Sequence, residues 1–222
     1  MVLVTGCAKS PEPPSEPEPE PAPTTAPAEA NSEEALDLGS ARMLLDTGEG
    51  PERALEWSAD AGGLVSCQHF HLPEEGDYLW IRLAESAAER GDAGPHVDLD
   101  VCRVSAAQAP GERADYPEMD AGKHGSRCGP EPGAAVWWHA DERAFNNGAA
   151  GGSECRVSLD WAEDGTVRGR FACEGLGLHV TEESPGGSAP PLSLRAGEFA
   201  CAVEPYTLER ARAEAEAAAA AE

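Results

Sequence analysis

The chain has 222 residues, and its 41 Asp and Glu residues outnumber its 16 Lys and Arg residues, giving a formal net charge of −25. Residues 36–206 alone contain 30 acids and 13 bases, so the acidic excess is not confined to the ends. Because nucleic-acid affinity depends on basic side chains that neutralise phosphates, we expect no DNA or RNA partner and favour a cation or a basic ligand. No run of 18 apolar residues occurs, so no transmembrane helix is predicted.

A proline-rich segment separates the cysteine at position 7 from all the other cysteines of the chain. This segment, residues 8–35, contains eight prolines interspersed with glutamate and alanine. Proline fixes φ and donates no backbone hydrogen bond, so the segment favours extended polyproline II and cannot join a core. We therefore predict a disordered Pro/Glu/Ala-rich tether between Cys7 and a folded domain.

The residues before the tether, Val4–Thr5–Gly6–Cys7, form a motif in which an aliphatic and two small residues precede a cysteine. The motif resembles the lipobox of bacterial lipoproteins. The resemblance implies that Cys7 carries lipid and anchors the chain to the cell envelope, and Ala8 after it implies the outer membrane. Residues 1–7 would then be the remainder of a signal peptide, with the true start codon upstream. The protein is accordingly predicted to be periplasmic or surface-exposed.

Residues 36–206 are predicted to form an all-β domain, an antiparallel β-sandwich. Several segments alternate apolar and polar side chains with a period of two, as Cys155, Val157 and Leu159 alternate with polar neighbours. Many short strands separated by Gly- and Pro-rich loops are typical of a sandwich or a barrel-like sandwich. The predicted strands are Ala41–Asp46, Ala54–Ser58, Leu64–His71, Tyr78–Leu83, His96–Val104, Ala134–His139, Glu154–Trp161, Thr166–Cys173, Leu192–Arg195 and Glu198–Val203.

The most specific local prediction is a β-hairpin over residues 161–167, with its turn at Asp164–Gly165. In its expected register Trp161 faces Val167 and Val157 faces Phe171. The same register brings Cys155 opposite Cys173.

Six cysteines lie inside the predicted domain, and none of them forms a C-x2-C pair, so zinc-ribbon and thioredoxin-like sites are not indicated. An even set at scattered spacings favours disulfides and therefore an oxidising compartment. The sequence does not choose among the pairings, and Cys155–Cys173 and Cys173–Cys201 remain alternatives. The six are Cys67, Cys102, Cys128, Cys155, Cys173 and Cys201.

The chain closes with two patterned strands and a segment of different composition. The patterns G-x-V-x-G-x-F-x-C at 165–173 and G-x-F-x-C at 197–201 are similar to the closing strands of small uncharacterised bacterial lipoproteins. This similarity implies a β-sandwich fold and no particular activity. Residues 207–222 are rich in Ala and Glu, and we predict a short solvated helix that begins at Thr207.

Two segments carry metal-ligating side chains at every second position, a spacing that places them on one side of a strand. One segment carries the histidines at 69 and 71, and the other carries a histidine at 96 and an aspartate at 98. If the two strands are neighbours, their side chains converge on a zinc or copper ion. The candidate metal ligands are His69, His71, His96 and Asp98.

Adjacent tryptophans suggest a second kind of site. Trp137 and Trp138 must point to opposite faces of a strand, so one is expected in the core and the other at the surface, close to Asp141. An exposed aromatic ring beside carboxylates suits sugars, because the ring stacks on the apolar face and the acids accept hydroxyl hydrogen bonds. Trp137, Trp138 and Asp141 are therefore the candidate ligand-binding residues.

The sequence contains no G-x-S-x-G motif, P-loop or dinucleotide-binding fingerprint. We therefore predict no catalytic residue and no cofactor. The favoured function is a non-catalytic binding or structural module on the envelope, whose partner is a glycan, a cation or an envelope protein. The alternative is a metal-dependent hydrolase that uses His69, His71 and His96.

Overall fold

The structure, a computed structural model, describes residues 35–72, 76–86, 94–104, 113–119, 128, 131–149, 152–162, 165–180 and 189–205. Contacts divide the chain into residues 1–34 and 35–222, and every described residue lies in the second unit. The predicted lipobox, the tether except for Ala35, and the helical tail thus lie outside the described residues. Within the described ranges, no helix has the length and apolar character needed to cross a membrane.

Strands account for most of the described residues, which confirms the prediction of an all-β domain. The described ranges form eleven strands and one short 3-10 turn at Ala59–Ala61. The strands are β1 Ser40–Asp46, β2 Arg53–Ser58, β3 Leu64–Leu72, β4 Gly76–Ala84, β5 His96–Cys102, β6 Arg113–Pro117, β7 Gly133–Ala140, β8 Arg143–Asn146, β9 Glu154–Trp161, β10 Thr166–His179 and β11 Leu192–Pro205.

All eleven of these strands belong to one hydrogen-bonded sheet, in the order β2-β1-β11-β3-β4-β5-β7-β8-β10-β9-β6. Strand β11 also pairs with β10, so the hydrogen bonds follow a closed path from β11 through β3, β4, β5, β7, β8 and β10 back to β11. Apart from the parallel pairing of β11 with β3, the named strands pair in antiparallel fashion. The described strands thus form one continuous, mostly antiparallel sheet, which agrees with the predicted all-β fold without specifically showing the two packed sheets of a sandwich.

The main core lies on one side of the central strands. Six fully buried side chains of β4 and β5 lie on this side. They are Leu79, Ile81, Leu83, Val97, Leu99 and Val101. The same cluster includes Cys155, Val157 and Leu159 of β9, as the alternation in the sequence predicts. Strand β5 differs because all seven of its residues are buried, which means that its opposite side is covered as well.

The predicted hairpin register is confirmed. Val167 pairs with Trp161, Phe171 pairs with Val157, and Cys173 pairs with Cys155. The turn residue Gly165 has a φ of 78°, a left-handed conformation that glycine adopts without a steric penalty.

The prediction that the six domain cysteines form disulfides is also confirmed. Cys155–Cys173 links directly opposed residues with Cα atoms 4.1 Å apart, so the alternative pairing of Cys173 with Cys201 is wrong. Cys201 instead bonds Cys67, across a Cα distance of 5.9 Å, and ties β11 to β3. The third disulfide joins Cys102 of β5 to Cys128, with Cα atoms 5.3 Å apart.

Four features of the strands differ from the sequence prediction. Strand β10 continues past the predicted end at Cys173 to His179, and the last of the added residues pair with β8. Strands β6 and β8 are additional, and both are short, with five and four residues. The two predicted strands after residue 191 are one strand, β11, which contains an irregularity near Ala196. Ala196 has a φ of 47°, and the bulge at this point lets β11 bend without losing its partners.

Strands β10 and β11 each place a glycine opposite an aromatic ring of the other strand. Gly169 pairs with Phe199, and Gly197 pairs with Phe171. A Cβ atom on Gly197 would lie 2.5 Å from Cζ of Phe171, and one on Gly169 would overlap the ring of Phe199. Both rings are buried, so the two glycines provide the space in which the rings pack against the facing backbone.

Candidate functional site

The side of β4, β5 and β7 that faces away from the main core, here called the outer face, carries polar and aromatic side chains. The strand register places Arg82 beside Asp98 and Trp80 beside Asp100. Because side chains alternate along each strand, the residues on this face are neighbours across strands as well as along them.

An open pocket of about 510 Å³ lies on the outer face. A small second apolar cluster, which includes Cys102 and Met119, adjoins it, and the half-buried rings of Trp80 and Trp137 pack against this cluster. Cys128, which is bonded to Cys102, packs against it as well. The residues that line the pocket are Phe70, Tyr78, Trp80, Asp98, Asp100, Trp137 and His139.

Asp100 is buried in the wall of this pocket. Its Oδ1 accepts a hydrogen bond from the hydroxyl of Tyr78, and its Oδ2 accepts one from Nε1 of Trp137 at 3.1 Å. Burial raises the pKa of this carboxyl from 3.8 to about 6, although both hydrogen bonds oppose the rise. The nearby charge of Asp98 adds to it. Asp100 therefore takes up its proton near pH 6 instead of near pH 4.

Asp98 is held by the guanidinium of Arg82. Nε of Arg82 donates to Oδ1 at 2.8 Å, and Nη2 donates to Oδ2 at 2.7 Å, a two-bond arrangement that fixes the plane of the carboxylate. The guanidinium carbon also lies 4.8 Å from the ring centroid of Trp80. Arg82 thus orients both an acid and an aromatic wall of the pocket.

Two histidines lie beside Asp98, close to the first residue of β5. Nε2 of His96 and Nε2 of His139 each lie 3.8 Å from Oδ2 of Asp98. One potential metal-binding atom from each of the three residues lies within 4.8 Å of the others. The two imidazole rings are stacked, with centroids 4.3 Å apart and planes 6° from parallel.

The structure brings together only some of the residues predicted to bind a metal. His96 and Asp98 lie together, but His69 does not join them, because β4 separates its strand from β5 and its register partner Leu79 belongs to the main core. Nε2 of His69 instead lies 3.5 Å from Asp77. The backbone of His71 pairs with that of Asp77, and its side chain is outside the described residues.

The predicted ligand residues divide between two pockets: Trp137 lines the pocket of the outer face, whereas Trp138 and Asp141 both line a second pocket, of about 310 Å³. Trp138 is only 4% exposed and belongs to the main core, as alternation requires. Asp141 does not adjoin Trp137. It lies in the two-residue turn between β7 and β8, where its side chain is 84% exposed and 3.8 Å from Arg143. The acids beside Trp137 are Asp98 and Asp100.

The candidate residues selected from the sequence do not include His139, Asp100 or the aromatic residues of β4. Tyr78 and Trp80 alternate with Leu79 and Ile81, so both sides of β4 have an apolar pattern. The sequence feature that could have located the site is on β5. There the acids at positions 98 and 100 lie on the same side of the strand, which is the outer face.

No family model matches the chain, and comparison with curated proteins and with solved structures likewise gives no match.

Proposed function

We propose that this protein is a non-catalytic binding module, anchored by lipid on Cys7 at the bacterial cell envelope, that binds a glycan in the pocket of the outer face. The pocket is the observation that carries the proposal. It combines four aromatic side chains with two carboxylates on a single face of the sheet.

The chemistry of the pocket suits a sugar. The rings of Trp80 and Trp137 offer surfaces on which the apolar face of a pyranose can stack. Asp98 and Asp100 each accept two hydrogen bonds within the protein, and a carboxylate has about four lone-pair positions. The remaining positions can accept hydrogen bonds from sugar hydroxyls. A glycan would therefore satisfy both the apolar and the polar parts of the pocket.

Two observations support export and anchoring. Val4–Thr5–Gly6–Cys7 has the lipobox pattern, and the three disulfides favour an oxidising compartment. Residues 8–35 would then connect the lipid to the domain, and an extended chain of this length spans up to about 80 Å.

Lipid attachment is tested in the native bacterium. When the protein is expressed from its own locus with a labelled fatty acid in the medium, we expect label on the wild type and none on Cys7→Ala, which should also leave the membrane fraction. Label that persists in Cys7→Ala, or its absence from the wild type, would contradict the anchor.

Glycan binding is tested with the full chain on an array of bacterial envelope polysaccharides, followed by calorimetry with the best ligand. We expect Trp80→Ala and Trp137→Ala each to weaken binding at least tenfold, about 1.4 kcal/mol, because each removes a stacking surface. Trp161→Ala is the matched control, since Trp161 is a partly buried tryptophan outside the pocket. A lack of binding across the array, or equal losses in all three variants, would favour a structural envelope role.

The alternative of a metal-dependent hydrolase loses its proposed ligand set. His69 and His96 lie on opposite sides of the sheet, so those two cannot hold one ion together. The histidines that do meet are His96 and His139.

A further inference from the structure

We propose that His96, Asp98 and His139 form a binding site for a divalent transition-metal ion of the zinc type. The proposed metal site does not depend on glycan binding in the pocket, because the stacking of a sugar on an aromatic ring requires no metal. The two adjoin each other, since Asp98 and His139 also line the pocket, whereas His96 does not.

His96 is already prepared as a metal ligand. Its Nδ1 lies 2.7 Å from the carbonyl oxygen of Gly94. A carbonyl only accepts hydrogen bonds, so Nδ1 donates the proton of this bond and Nε2 is the nitrogen left to bind a metal. Metal-binding histidines are commonly oriented in this way, by a hydrogen bond from the other ring nitrogen.

Nε2 of His96 has no hydrogen-bond partner, although the residue is only 4% exposed. An unpaired polar atom in the protein interior is destabilising, so such atoms are uncommon in folded proteins. This atom lies 3.8 Å from Oδ2 of Asp98, too far for a hydrogen bond. A cation held between the two atoms would give both of them a partner.

The second histidine must move for the metal to bind. Imidazole binds a metal in the plane of its ring, and the stacked rings of His96 and His139 lie in separate, nearly parallel planes, so one ion cannot lie in both planes at once. His96 is fixed by Gly94, so the ring of His139 has to turn towards Asp98. The side chain of His139 is 25% exposed, which leaves space on the pocket side for this rotation.

The ligand types select the metal. Two imidazoles and one carboxylate suit zinc, copper or nickel, whereas calcium and magnesium prefer sites made of oxygen atoms. Zinc sites with three protein ligands hold them at about 2.0–2.2 Å and keep a fourth position open. Arg82 stabilises the carboxylate of Asp98 from the other side, as second-sphere partners of metal ligands do.

Zinc titration of the full chain, stripped with chelator and free of any histidine tag, tests the site. We expect one zinc ion per chain by calorimetry and elemental analysis, and at least tenfold weaker binding in His96→Ala and in His139→Ala. His179→Ala is the matched control, because His179 contacts Trp137 on the outer face but is not one of the three clustered residues.

Nuclear magnetic resonance provides a readout that does not depend on the stability of a variant. Zinc should shift the Nε2 resonance of His96 in the wild type and leave its Nδ1 proton in place. Stoichiometric binding that is unchanged in His96→Ala, or no binding at micromolar zinc, would overturn the proposal. The test is independent of the glycan array, because the array variants Trp80→Ala and Trp137→Ala leave all three metal ligands in place.

Discussion

Replacing both Cys67 and Cys201 with alanine is expected to lower the free energy of unfolding by about 4–5 kcal/mol. The two residues are 134 positions apart, and a crosslink that closes so long a loop removes much conformational freedom from the unfolded chain. The bond also secures β11 against β3, where only Val203–Pro205 pair in parallel with Cys67–His69. Denaturant unfolding under non-reducing conditions measures the loss.

The matched control is the double variant Cys155→Ala with Cys173→Ala, whose disulfide closes a separation of only 18 residues. We expect it to lose about 3 kcal/mol, because the shorter loop has less entropy to lose. Non-reducing mass spectrometry should show three disulfides in the wild type and two in each double variant. An equal or smaller loss for the Cys67 and Cys201 pair would contradict the assigned role of that bond.

Gly169→Ala is expected to destabilise the domain by about 3 kcal/mol or more. The added methyl would occupy the position of the Phe199 ring in a close-packed core, and overpacking of this kind forces the ring or the backbone to shift. Gly197→Ala should act in the same direction through Phe171, whose ring atoms lie within 2.6 Å of the position that the new methyl carbon would take. Thermal and denaturant unfolding measure both effects.

Gly152→Ala is the control for that prediction, because a methyl group there meets nothing within 4 Å and no left-handed φ is involved. It should change stability by no more than about 0.5 kcal/mol. Combining Gly169→Ala with Phe199→Leu should recover part of the loss, since the smaller side chain leaves room for the methyl. Additive losses in the double variant would show that the ring and the glycine do not compete for space.

Local patterns predicted most of the strands because alternation and turn residues are themselves local. The hairpin around Gly165 is the clearest case, where the turn fixed the register and hence the pairing of Cys155 with Cys173. Strand β6 carries little such signal, since it is a short, mostly exposed edge strand that ends in Pro117. Strand β8 is only four residues long, too short for a period to be recognised.

The candidate site was predicted only in part, because it depends on which strands are neighbours. His96 and Asp98 were selected from their spacing within one strand, and this local inference agrees with the structure. Joining them to His69 required β3 and β5 to be adjacent, and no local pattern reports that order. His139 comes into contact through the β5–β7 pairing, in which it lies directly opposite His96.

The closed path of strand pairing has a consequence for how the protein is made. Strands β1 and β3 come early in the chain, yet each has one edge that pairs with β11, the last of the named strands. A polypeptide that is synthesised from its N-terminus cannot complete the sheet until β11 has been made. Contacts between such distant segments form slowly, and until then the unpaired edges can associate with other chains. The incomplete chain, before β11 is available, is therefore the form most exposed to aggregation and the one that a chaperone would have most reason to bind.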